Sequence, residues 1–155
     1  MKVIAIGLMM WMQANCSVPG VNPEHNFCDL NWDHPVPKMV LLPHKELVTE
    51  FLRGNGSLAG KSNSLLKAFY NLDTKIIFLE AGRDYSSPMA HSGLAHELLH
   101  YVQDMNGLHD RYCIADMEIS TYLMQVHVYE KRFGLDGSAT NIINLYKKDK
   151  CVTLY

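Results

Sequence analysis

The chain has 155 residues, 48% of them hydrophobic, with 14 Lys+Arg against 16 Asp+Glu and a formal net charge of −2. That length points to one domain able to bury a proper core. The near-neutral charge gives no reason to expect nucleic acid as a partner, and no run approaches the ~20 apolar residues that a stable membrane span requires.

The first residues differ in kind from the rest. Lys2, the nearly all-apolar run from Val3 to Met12 and then Gln13-Ala14-Asn15-Cys16-Ser17 read as a signal peptide, with a minimal basic start and Ala14 as the small residue before a cut. Cuts after Cys16 or Ser17 are also compatible. On this reading residues 1–17 are removed and the protein is exported, to a periplasm or outside the cell. The plainer alternative is a buried first strand or hairpin arm of a cytoplasmic protein. Cys16, Cys28, Cys113 and Cys151 include no CxxC pair, which argues against a structural zinc site and leaves three disulfide pairings open.

Residues 18–37, rich in Pro, Asn and His, read as an irregular arm that Phe27 and Trp32 anchor, with His25 and His34 as surface residues. A domain is expected over 38–135. Lys38–Leu42 is a short strand, and Pro43–Arg53 a backing helix whose apolar face carries Leu47, Val48, Phe51 and Leu52. Asn55–Ser64 reads as a loop. Leu65–Tyr70 and Lys75–Leu79 are strands of a hairpin turned by Asn71-Leu72-Asp73-Thr74. The continuous apolar run Ile76-Ile77-Phe78-Leu79 fits a strand covered on both faces.

Ser86-Ser87-Pro88 then supplies a helix start, and Asn106-Gly107 a stop. Between them Leu94, Ala95, Leu98, Leu99, Tyr101 and Val102 wrap most of the helix in apolar surface, so it is expected to be largely buried. His91 is expected to be exposed or to cap. Ile114–Phe133 forms a last long helix that Gly134 ends. In the tail, 136–155, a short helix over Ala139–Tyr146 precedes the basic cluster Lys147-Lys148-Asp149-Lys150.

The helix between the Ser86-Ser87-Pro88 start and the Asn106-Gly107 stop carries the most informative residues, His96-Glu97-Leu98-Leu99-His100. Histidines four apart on a helix project from one face, one turn above the other, so both imidazoles reach one metal ion. Glu97 lies beside them, placed to approach a metal-bound water without ligating the metal. HExxH on a helix is the zinc-binding core of a large group of metallopeptidases.

A catalytic zinc takes three protein ligands and leaves one position open. A metzincin continuation fails, because Gln103 stands where the glycine belongs and Asn106 where the third histidine belongs. Glu118, 18 positions after His100, shares a helix face with Met117, Thr121, Tyr122, Gln125, Val128, Tyr129 and Arg132. An unpaired carboxylate in such a mainly apolar stripe is costly, and coordination explains it. Pairing with Arg132 or Lys131 is the bland alternative. His109, in the loop between the helices, is the rival ligand. Asp116 and His127 are turned away by their helical phase.

These residues, with Tyr101-Val102-Gln103 after the motif and Tyr122 and Gln125 after Glu118, resemble the gluzincins. Among those, the small phage and bacterial zinc peptidases that retain little beyond a catalytic core are the nearest in kind. The resemblance covers about residues 38–135. It implies an α+β, minimal zincin-like fold with a backing helix, a small sheet or hairpin, an HExxH helix and a glutamate helix. It also implies that the strand before the HExxH helix is the sheet edge to which an extended substrate adds. Many gluzincins carry an aspartate four residues after the ligand glutamate to orient a zinc histidine, and here Tyr122 stands in its place.

The function expected is zinc-dependent hydrolysis of peptide bonds. One Zn²⁺ per chain would be held by His96, His100 and Glu118, with Glu97 as general base and a peptide or protein as substrate. Tyr122, Tyr101, His109 and Arg111 are candidates for stabilising the oxyanion or supporting the ligands. The rival readings are an idle zincin-fold binding or assembly protein, and a zinc amidase acting on a non-peptide amide such as a cell-wall component.

Overall fold

The computed structural model describes residues 1–21, 23, 26–54 and 66–137. Among them the fold is α+β, with four α-helices and one three-stranded sheet. The expectations for Asn55–Ser64, Ala139–Tyr146 and the basic cluster, for His25 and for Cys151 lie outside the described residues.

The sheet is built from β1 (Lys38–Leu42), β2 (Ala68–Asn71) and β3 (Ile76–Glu80) in the order β1-β3-β2. β3 pairs parallel with β1 and antiparallel with β2. The hairpin forms where Asn71 accepts the amides of Asp73 and Thr74 on its side-chain oxygen, at 3.0 and 2.9 Å, an Asx-type turn that the Lys75 amide closes by donating to the Asn71 carbonyl at 2.9 Å. The strand before the HExxH helix is thus β3, the central strand, and not the sheet edge. Its apolar run reflects cover on both faces, and the strand exposed as an edge beside that helix is β2.

Alternation along β3 divides the core. Ile77 and Leu79 join the main cluster with residues of α1 (Lys2–Ala14), α3 (Pro88–Met105) and α4 (Ile114–Phe133), whereas Ile76 and Phe78 join a smaller one with Leu47 and Phe51 of α2 (His44–Gly54) and with Phe69 of β2. The sheet therefore lies between α2 on one face and α3 (Pro88–Met105) on the other.

α3 is the axle of the molecule. Ser87 precedes it with extended backbone and Pro88 opens it, as the sequence indicates, although the Ser87 hydroxyl bonds to the Asp84 carbonyl instead of capping. Leu94, Ala95, Leu98, Leu99 and Val102 are all fully buried. α4 (Ile114–Phe133) packs along α3 and ends at Gly134, whose φ of 66° is a left-handed conformation that glycine adopts without strain. His91 proves buried, with a ring nitrogen 3.0 Å from the Tyr85 carbonyl and its ring edge-on to Phe133.

Residues 2–14 form a helix, α1 (Lys2–Ala14), rather than a strand or hairpin arm. Ala5, Leu8 and Met12 are fully buried in the main cluster, and α1 packs against α3. A disulfide joins Cys16 to Cys28, and Cys113 is also disulfide-bonded. The arm after α1 is irregular apart from a short 3-10 turn at Phe27–Asp29. Phe27 and Trp32 anchor it as expected, both buried, with the indole N–H donating to the Phe27 carbonyl at 2.9 Å. Asn106, just past α3, clasps the arm: its side chain accepts from the Asn31 amide and donates to the Asn31 carbonyl. No helix among the described residues is long and apolar enough to cross a membrane.

Candidate metal centre

α3 and α4 bring His96, His100 and Glu118 to one point. The two Nε2 atoms lie 3.1 Å apart, and Glu118 places Oε1 3.1 Å from His100 Nε2 and Oε2 3.4 Å from His96 Nε2. Ligand atoms from the three residues all fall within 4.8 Å of one another, so the group could hold a metal ion. Both histidines are buried and Glu118 is half-buried.

The donor chemistry fits a dication. Burial by itself would raise the pKa of Glu118, but hydrogen bonds from His100 and His96 outweigh it and hold the carboxyl well below the usual carboxylate range. A permanently charged oxygen ligand thus faces two imidazole nitrogens, a set of two N and one O that suits zinc. On the far side of the rings, His96 Nδ1 and His100 Nδ1 are buried with no hydrogen-bond partner among the described residues. The acceptor expected to orient a ligand histidine is therefore not supplied by Tyr122, which instead packs its ring 4.5 Å from that of His96.

Glu97 sits beside this group with a different environment. One carboxylate oxygen accepts the Tyr70 backbone N–H of β2 at 2.8 Å. Desolvation pushes its pKa up to about 7, with the Glu118 charge adding to the rise while His100 and the Tyr70 amide oppose it. The two carboxyls, 21 positions apart in sequence, are thus driven in opposite directions, Glu118 toward the ionised form and Glu97 toward the protonated one. Glu97 and His96 both line a cleft of about 240 Å³. Lys67, just before β2, Ala68 of β2 and Arg83 of the β3–α3 loop form one wall, and α4 forms the other through Tyr122 and Gln125. Gly93, one turn before His96, lies along the same cleft, and a Cβ built there would meet nothing within 4 Å.

The other expected residues scatter. Asp116 and His127 stay out of the ligand group, and His127 packs 5.9 Å from the Trp11 ring instead. His109 is not a ligand either: its ring hydrogen-bonds the His100 backbone and lies 6.0 Å from the His100 ring, with burial as the main cause of its lowered pKa. Tyr101 is withdrawn from the cleft, because its buried hydroxyl donates to the Pro35 carbonyl at 2.6 Å. Arg111 is exposed in the inter-helix turn and does not line the cleft. Of the four candidates for support, only Tyr122 lines the cleft.

Two residues that the sequence does not single out support the site from behind. Tyr70 holds Glu97 through its amide, and its hydroxyl donates to Asp104, which Lys75 also meets at 2.6 Å. Asp104 stands four residues after His100, a spacing that marks it as a same-face neighbour. Tyr70 carries no comparable signal, since its role depends on strand pairing.

No curated protein and no solved structure matches the chain. Residues 26–153, which include the whole ligand group, match a family described as Domain of unknown function (DUF6647), and the chain belongs to that family.

Proposed function

We propose that this protein is a zinc-dependent hydrolase acting on peptide bonds, with His96, His100 and Glu118 as metal ligands and Glu97 as the general base. The observation that carries the reading is the placement of a convergent two-histidine, one-carboxylate group beside a second carboxyl, Glu97, which lines the same cleft as His96 and is oriented by the Tyr70 amide. A bound zinc ion supplies Lewis acidity, polarising a carbonyl and acidifying water. Glu97 contributes what the metal does not: a carboxyl able to take a proton at neutral pH and return it to a leaving amine. The Tyr70 amide fixes its orientation through one oxygen. Tyr122 and Gln125 are the polar side chains on the opposite wall, and Ala68 of the outer strand β2 gives an extended chain a backbone to lie along.

One observation favours a second reading, a non-catalytic metal-bound scaffold. Glu97 ties α3 to β2 through Tyr70, so its carboxylate has a use in the fold alone. Metal content of the purified protein, measured beside cleavage of a random peptide pool by wild type and Glu97→Gln, separates the two. Stoichiometric zinc with cleavage abolished in the variant supports the hydrolase. Zinc without cleavage by either protein supports the scaffold.

A further inference from the structure

Resting on the hydrolase reading, we infer that the cleft selects peptides by a carboxylate group, and that Arg83, with Lys67, receives it. Both side chains line the cleft that holds His96 and Glu97. Their acidic partner is one carboxylate, Glu80, and it is shared three ways. Glu80 Oε1 lies 3.2 Å from Lys67 Nζ and 2.9 Å from His44 Nδ1, while Oε2 is 3.8 Å from the Arg83 guanidinium.

Two permanent cations thus stand against one anion, and the longest of the contacts is that of Arg83. Among the described residues Arg83 makes no hydrogen bond, and its planar fork of donors has only the 3.8 Å contact with Glu80. Asp84, the next residue, does not neutralise it, since that carboxylate turns to the amide and hydroxyl of Ser86. The opposite wall, Tyr122 and Gln125, carries no charge. A guanidinium on a cleft wall, with its donors uncommitted and a lysine beside it, is suited to bidentate capture of a carboxylate. That group is either an acidic side chain or the free C-terminus of the peptide.

Binding of uncleavable peptides to the zinc-loaded wild-type protein tests this. The probes are pentapeptides with reduced peptide linkages, in which a single Glu or Gln is moved through each position and the C-terminus is free or amidated. The expected result is about tenfold tighter binding for the charged member of one pair, side chain or terminus, than for its neutral counterpart. Which pair shows it identifies the source of the carboxylate. Arg83→Gln should reduce the preference to within about twofold while leaving neutral peptides bound as before, and Lys67→Gln should reduce it in part. Glu80→Gln should increase it, an outcome that a merely structural role for this cluster does not produce. Charge-blind binding by wild type, or a preference that survives both Arg83→Gln and Lys67→Gln, overturns the carboxylate assignment and leaves the hydrolase reading standing. Failure of every peptide to bind overturns both.

Discussion

The two sides of α3 are built on opposite principles. Toward α1 the packing is apolar and complete, with Ala5, Leu8 and Met12 joining Leu94, Leu98 and Val102 in one cluster. Toward α4 and β2 the same helix presents the buried His96 and His100, whose Nδ1 atoms have no hydrogen-bond partner among the described residues, and the half-buried Glu97. The first side supplies stability and asks nothing of chemistry. The second gathers two imidazoles around the Glu118 carboxylate, beside a carboxyl whose ionisation burial resists, and so sets polar groups where the other side sets hydrocarbon. A helix anchored firmly on one flank can hold such groups in place on the other.

Substitutions on each side should behave differently in kind, and the largest effect is expected at the chemical side. Glu97→Gln should retain full zinc content and lose peptide cleavage by about three or more orders of magnitude, measured as kcat/KM. Cleavage near the wild-type rate would remove Glu97 from the mechanism. Glu118→Ala should weaken zinc binding by at least about a hundredfold in a competitive chelator titration. In the metal-free protein it should also lower stability near neutral pH, because it removes the carboxylate to which His100 and His96 hydrogen-bond.

Leu8→Ala sets the apolar side against this. It should lower unfolding free energy by about 2–5 kcal/mol without changing zinc affinity of the folded protein. A matched loss of zinc would mean that the two flanks of α3 are not separable. pH gives a finer comparison. The folded-state pKa of Glu97, about 7, lies above the ordinary 4.5, so the folded chain holds an extra proton between those values. Its contribution to stability is full below about pH 4.5 and is lost as the pH rises through 7, amounting to at most about 3 kcal/mol. Chelated wild type and Glu97→Gln should therefore melt together near pH 4.5 and diverge by pH 8, with the variant higher. Parallel curves would show that Glu97 is not desolvated. The smallest effect is expected at Gly93→Ala, which should raise stability by about 0.5–1 kcal/mol, because the added methyl favours helix and enters open space.

What could be read in the sequence follows the range of the forces involved. The element boundaries of β1, α3 and α4 rest on local signals, Pro88, Gly134 and the apolar spacing, and lie close to where those signals put them. His96, His100 and Glu118 were legible because helical phase carries side-chain direction over one or two helices. The position of β3 was not, because a fully apolar strand shows that both faces are covered and is silent about which strands flank it. Tyr70 and Arg83 were invisible for the same reason: each reaches the cleft through pairing and loop closure, which no periodicity encodes. Tyr101 shows the converse, a residue beside the motif whose hydroxyl is claimed by an arm 66 positions away.

The Cys16–Cys28 bond has a consequence for any attempt to trim the molecule. The family match begins at residue 26, so this crosslink fastens a segment that precedes the match to one inside it. A protease that cuts between Cys16 and Cys28 leaves α1 seated and covalently attached, and the nick is silent on a non-reducing gel. Only reduction lets the fragment go, and its departure strips Leu8 and Met12 from the hydrophobic flank of α3. Thiol reagents added to stabilise a preparation would then work against it.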